Sequence, residues 1–134
     1  MTIEQLMKQL LQTNAGPLKD RQITVEVDCD SHGEAVTSDE QLLNALSLIL
    51  QYASECSPVG SRLSLSTFST SQGTEIEIAD NSDLTADSAR EGSFVIAKAG
   101  RDLHGAGVSM NLLNCPQGGV AYSIVLPKTA RAAA

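Results

Sequence analysis

Between Thr74 and Asp80 the chain alternates, Thr-Glu-Ile-Glu-Ile-Ala-Asp, before continuing to Asn81. Side chains of a strand point to opposite faces in turn, so Ile76, Ile78 and Asp80 share one face and Glu75, Glu77 and Ala79 the other. The isoleucine face must turn to the core. The strand therefore carries a carboxylate inward at its end, where an unpaired charge is costly. A buried donor, a water or a ligand has to satisfy it. A pocket built for the amino group of a purine would do so. This one segment demands a sheet with a covered face and polar company at its rim.

The 134 residues suffice for one domain with a real core. Aromatics are 3% and Trp is absent, so that core must be built from Leu, Ile, Val and Ala. Ile3, Leu6, Met7, Leu10 and Leu11 fall at helical spacing, with Thr2 as N-cap, and this helix should stop near Asn14-Ala-Gly-Pro17. It is expected either to pack on the domain or to act as a connector over residues 1–17 and a homodimer seam. Ile23, Val25 and Val27 mark a first strand, followed by a loop over 31–37 with a short extended piece at Ala35-Val36. Ser38 should cap a helix from about Asp39 to Glu55, burying Leu42, Leu46, Ile49 and Ala53. Ser57-Pro-Val-Gly60 turns the chain. Leu63, Leu65 and Thr67 then alternate through a second strand, and residues 69–73 form the loop of an antiparallel hairpin.

From Asn81 to about Gly100 no clean period survives, which points to an irregular lid or binding loop. Gly105-Ala-Gly107 is expected to open a helix running through about Asn114. Pro116-Gln-Gly-Gly119 turns the chain into a last strand, Val120–Leu126, with Tyr122 in the core. The residues after 128 read as a frayed tail. Helices with mostly antiparallel strands imply an α/β (α+β) chain folded as a two-layer sandwich. Its sheet is covered on one face by helices, with a pocket between the layers.

The net charge of −7 argues against nucleic acid and anionic membranes as partners. Neither a signal peptide nor a membrane span is visible, and Cys29, Cys56 and Cys115 stand apart, so a reducing, cytoplasmic setting is expected. His32 and His104 lack partners at metal spacing, and no catalytic Ser-His-Asp or Cys-His arrangement stands out.

The order of parts carries a resemblance. An amphipathic helix beginning at Asp39, Ser57-Pro-x-Gly60, a hairpin ending in Ala79-Asp80-Asn81, an irregular lid, Gly105-x-Gly107, Gly118-Gly119 and a strand ending in Leu126-Pro127 together resemble the histidine-kinase-like ATPase superfamily (GHKL, or Bergerat fold). Over residues 18–128 the chain is similar above all to the catalytic, ATP-binding domain of bacterial sensor histidine kinases. The resemblance implies a nucleotide site. Asp80 would accept from the adenine amino group, Asn81 would follow it, and Gly105 and Gly107 would let helix-start amides cradle phosphates. Asn44 and Tyr52 would line the same site from the long helix.

Departures from the pattern shape the expected function. The family's Asn-x-x-x-Asn falls on Leu48 and Tyr52, so the grip on Mg²⁺, a cation that wants oxygen ligands, should be lost and that on ATP weakened. Ser82-Asp83-Leu84 replaces a glycine pair, Leu103 replaces a further glycine, and the hairpin usual at the domain's end is not visible. A rival register reads Glu40-Gln-Leu-Leu-Asn44-Ala45 as the Glu-x-x-x-Asn-Ala of gyrase-type relatives, which would leave the site intact. The resemblance thus implies a degenerate two-component module that binds a phosphotransfer or response-regulator type of protein. The alternatives are an active kinase module phosphorylating a His or Ser of a partner, and an anti-sigma-type regulator.

Overall fold

A computed structural model describes residues 1–30 and 40–127. Helix α1 spans Ile3–Thr13 and α2 spans Ala15–Asp20; strand β1 is Thr24–Cys29, and helix α3 is Glu40–Cys56. Strands β2 (Arg62–Thr70) and β3 (Gly73–Ala79) follow, then helices α4 (Ala86–Gly92) and α5 (Phe94–Gly105), and strands β4 (Ser109–Asn114) and β5 (Val120–Pro127). The anticipated Ser38 cap, the loop over 31–37 with His32, and the tail lie outside the described residues.

The five strands form one sheet in the order β1-β2-β3-β5-β4. Only β1 and β2 run parallel, as the helical crossover α3 between them requires. The β2–β3 hairpin closes on Ser71 and Gln72 alone, a tighter loop than the 69–73 expected. Register sets the two faces. Leu63, Leu65, Ile76, Ile78, Val120, Tyr122 and Ile124 point under the helices and are buried, whereas Glu26, Ser64, Glu77, Ala79 and Ser123 line the outer face. α3 and α5 pack side by side on the inner face, which gives the two-layer architecture.

Helix α1 is part of this core. Thr2 and Gln5 form a reciprocal cap, Gln5 N–H donating to Thr2 Oγ1 at 3.1 Å and Thr2 N–H to Gln5 Oε1 at 2.8 Å. Ile3 and Leu10 are fully buried, Leu6 and Met7 nearly so, and the helix packs on α3. Each such side chain contributes about 1.5–3 kcal/mol of transfer free energy. The helix thus spends its apolar face inside the domain, packed on α3. The chain also does not stop at Asn14. It bends there into α2, with Pro17 in the first turn, where a missing N–H costs nothing.

Two further differences lie downstream. The stretch read as an irregular lid contains α4 and α5, capped by Thr85 and Ser93. The stretch read as a helix after Gly107 is strand β4, which pairs antiparallel with β5. The terminal hairpin is thus present. The residues assigned to a helix are its first arm.

Candidate functional site

Asp80 follows β3 directly and is 7% exposed, so the acid is indeed carried inward. Its surroundings come from the chain itself. The Asp80 N–H donates to Val120 O at 2.9 Å. In return Val120 N–H donates to Asp80 Oδ1 at 2.8 Å. The same oxygen accepts from Ser82 N–H at 3.1 Å and from Ser82 Oγ at 2.9 Å. The hydroxyl of Tyr122, fully buried on β5, reaches Oδ2 at 3.5 Å. Burial first, and then the charge of Asp80, holds the Tyr122 phenol far above the ordinary phenol range, so it stays a donor. Gly119 permits this closeness. With φ of +90° and a hydrogen in place of Cβ, it lets β5 start against the Asp80 carbonyl, with which a Cβ would overlap, and 3.0 Å from Oδ1.

The turn after α3 holds the neighbouring residue. Ser57, 2% exposed, donates its hydroxyl to Ala53 O at 2.8 Å and accepts the Asn81 N–H at 3.2 Å. Asn81 itself is exposed. On α3, Asn44, Leu48 and Tyr52 lie one turn apart on one face. Asn44 is exposed, whereas Leu48 and Tyr52 are half-buried against the core. The Tyr52 hydroxyl interacts with the Cys56 thiol and with the Ser93 hydroxyl that caps α5. Burial raises the Tyr52 phenol and likewise the Cys56 and Cys115 thiols, each pushed further by the Asp80 charge. These thiols are protonated, weak nucleophiles.

Gly105 and Gly107 do not open a helix. They close α5, where Gly107 takes φ of +78°, its N–H donates to His104 O at 3.0 Å and Val108 N–H donates to Leu103 O at 2.9 Å. Their amides serve the carbonyl end of a helix, which repels anions rather than cradling them. The helix start that faces Tyr52 is that of α5, at Ser93. A cleft of about 550 Å³ opens beside Asp80 and Asn81, lined also by Arg62, Leu63, Cys115 and Gln117. Glu26, Ser64 and Ala79 border it from the outer face of the sheet. Among the described residues no group of three or more His, Cys, Asp and Glu side chains could hold a metal ion.

No family model matches the chain, and no curated protein does. Solved structures do. The catalytic domain of histidine kinase ThkA superposes with a TM-score of 0.83 at 11% identity, over 96% of this chain and 94% of that one. The fold is that of a histidine kinase catalytic domain. The mycobacterial sensor histidine kinase MprB matches at a TM-score of 0.76 and 19% identity, over 95% of this chain and 96% of its own. Acinetobacter baumannii histidine kinase AdeS gives 0.77 and 18%, over 96% of this chain and 66% of its own.

Within this histidine kinase fold, the structure brings Asp80, Asn81 and Tyr52 to one end of the sheet and removes Gly105 and Gly107 to the end of α5. Tyr122, Ser82 and Ser93 had not been singled out as site residues. A partial signal existed for two of them. Tyr122 lies on the inward face of β5 like Asp80 on its own strand, and Ser93 precedes Ile96, Ala99 and Leu103, an apolar stripe at helical spacing. Nothing in the sequence pairs Ser82 with Asp80 except proximity, an Asx-type turn that Ser and Asp both favour.

Proposed function

We propose that this chain is a signalling module that keeps the histidine kinase catalytic fold, binds Mg·ATP weakly or not at all, and works by docking a phosphotransfer or response-regulator type of protein. The observation that carries this reading is the engaged carboxylate: three donors of the chain itself crowd Asp80 Oδ1, and Tyr122 addresses Oδ2. An adenine amino group would be left with Oδ2, beside the Tyr122 hydroxyl. The α3 face supports the same reading. Leu48 offers no oxygen, and Tyr52 offers only a neutral phenol beside Cys56 and Ser93, so the donor set does not fit a hard cation.

Thermal unfolding with and without millimolar Mg·ATP tests this. A ligand at 100 times its Kd stabilises the native state by about 2.7 kcal/mol. For 134 residues that amounts to a shift of about 9–10 °C. The expected shift is below about 1.5 °C, for a Kd above the concentration used. A saturable, magnesium-dependent rise of several degrees would overturn the proposal.

One observation favours the active reading. Glu40 and Asn44 are both exposed on the first turns of α3, as the rival register needs. Under that reading the module binds Mg·ATP through Asn44, and Asn44→Ala abolishes the thermal shift while Leu48 and Tyr52 variants do not.

A further inference from the structure

The two edges of the sheet are finished differently. At β4 the edge is covered: α4 packs along it, Arg90 Nη2 reaches Leu112 O at 3.4 Å, and Asn114 Oδ1 accepts the Ala86 N–H at 2.7 Å. At β1 every residue is at least partly exposed. Thr24 N–H donates to Ser61 O at 3.1 Å and Asp30 N–H to Thr67 O at 2.9 Å. The bonds of one strand in a parallel ladder fall on every second residue, so Thr24, Glu26, Asp28 and Asp30 direct their backbone groups to β2. Val25, Val27 and Cys29 direct theirs away from the sheet. Among the described residues no backbone group pairs with the N–H and C=O groups of these three. Such a row is a template for another strand. The side chains say of what kind. On the inner face Val27 is 46% exposed although Leu65, its partner in register, is fully buried, so the apolar layer stops partway across β1. On the outer face stand Glu26 and Asp28, both exposed, beside the uncharged Ser64 and Ser66. Glu26 meets Arg62 in a pair open to water, which is worth little. Asp28 has no ion pair among the described residues.

We infer that β1 is the docking edge for an extended segment of a partner protein, added antiparallel, in which basic and apolar residues alternate. The inference stands whether or not the Asp80 end of the sheet binds Mg·ATP. In this arrangement the partner residues opposite Val25, Val27 and Cys29 form the hydrogen-bonded pairs, each exchanging both of its backbone bonds. Those opposite Glu26 and Asp28 form the closer pairs, with Cα atoms about 4.5 Å apart, where a Lys or Arg meets each acid. The apolar residues between them continue the inner layer over Val27, so backbone bonds supply affinity and the alternation supplies selectivity. A second copy of the chain does not meet these terms. Any antiparallel register that pairs most of two β1 strands sets Glu26 against Glu26 or Asp28 of the other copy, and like charges directly opposite are destabilising.

The test titrates the peptide acetyl-Thr-Val-Lys-Val-Lys-Val-Thr-amide into ¹⁵N-labelled full chain at low salt, where exposed charges are least screened. Concentrations reach about 5 mM, so that a Kd of about 1 mM or tighter saturates. Saturable shifts are expected at the Val25, Val27 and Cys29 amides, whose N–H groups acquire acceptors, and not at the Met110 or Leu112 amides of the other edge. Replacing both peptide lysines by glutamate weakens binding about thirtyfold, and Asp28→Lys weakens the parent peptide about fivefold. N-methylation of the peptide's central valine, which removes the donor to Val27 O, weakens it about tenfold. Val27→Pro is the complementary variant. The Val27 N–H serves no bond inside the sheet, so Pro is tolerated on this edge while it blocks strand addition; should that variant not fold, Asp28→Lys carries the test. Absence of saturable shifts along β1, an acidic peptide that binds as well as the basic one, or indifference to N-methylation would each overturn the inference. So would β1 shifts that develop on concentrating the chain alone, which would give the edge to a second copy.

Discussion

Gly119→Ala is the sharpest probe of the Asp80 cluster. Two separate effects act at this position. A φ of +90° strains any L side chain, by about 1–2 kcal/mol for a residue forced left-handed. The new Cβ would also overlap the Asp80 carbonyl oxygen and sit 3.0 Å from Oδ1. That oxygen belongs to backbone and cannot swing away, so β5 must retreat from Asp80. The retreat breaks Val120 N–H to Oδ1, a buried bond to a carboxylate, at roughly 1.5–3 kcal/mol. The total is about 3–5 kcal/mol, a large share of the 5–15 kcal/mol that holds a domain together. Gly118→Ala is the internal control. Gly118 has φ of +100° but nothing within 4 Å of its Cβ position, so it pays strain alone. Urea unfolding of both variants isolates the clash as their difference, about 1.5–3 kcal/mol, or roughly 5–11 °C in Tm for a chain of this length. If the two variants unfold within about 0.5 kcal/mol of each other, the uncertainty expected of a surface change, the close packing of β5 on Asp80 is refuted.

The remaining predictions concern the same cluster and the helix beneath it. The Tyr52 and Tyr122 phenols and the Cys56 and Cys115 thiols are all raised by burial, so the folded chain holds protons that the unfolded chain releases. Their contribution is complete below the unfolded values and is lost as pH climbs through them, beginning at about 8.5 for thiols and 10 for phenols. Tm should therefore fall steadily above pH 8.5, and Tyr122→Phe should flatten the part above pH 10; a parallel fall in both proteins would contradict the buried-phenol account. Leu10→Ala, at a fully buried α1 position, should cost about 2–5 kcal/mol in chemical denaturation. A connector helix would lose almost nothing. Ser57→Ala removes the hydroxyl shared by Ala53 O and Asn81 N–H and should cost about 1–3 kcal/mol, with amide exchange at Asn81 accelerated; unchanged exchange there would mean that the bond does not hold the turn.

Legibility in the sequence followed how much of each signal is local. The β2–β3 hairpin, the stripe of α1 and the inward turn of Asp80 depend on alternation or helical spacing within a few residues, and all three stand in the structure. The segment 103–114 was misread because a glycine pair serves equally at a helix start and just past a helix end. Alternation could have decided the matter. Val108 and Leu112 are buried and Met110 half-buried, whereas Ser109, Asn111 and Leu113 are exposed, a period of two that no helix produces. Helices α4 and α5 hid because much of their buried face is alanine, Ala86, Ala89 and Ala99, which hydropathy barely registers. Two donors to Asp80 were out of reach for another reason: Val120 and Tyr122 come from a strand some 40 residues away, and only the sheet order brings them there.

The paired bonds between residues 80 and 120 make the intervening stretch a closed excursion. Both ends of 81–119 leave from a single stitch, and whatever happens along that detour is referred back to one carboxylate. Pull the stitch and the excursion loses one of its anchors, while α5 keeps its packing on α3 and β4 its pairing with β5. A molecule wired in this way ties its excursion down twice, at the stitch and along the face that α5 shares with α3.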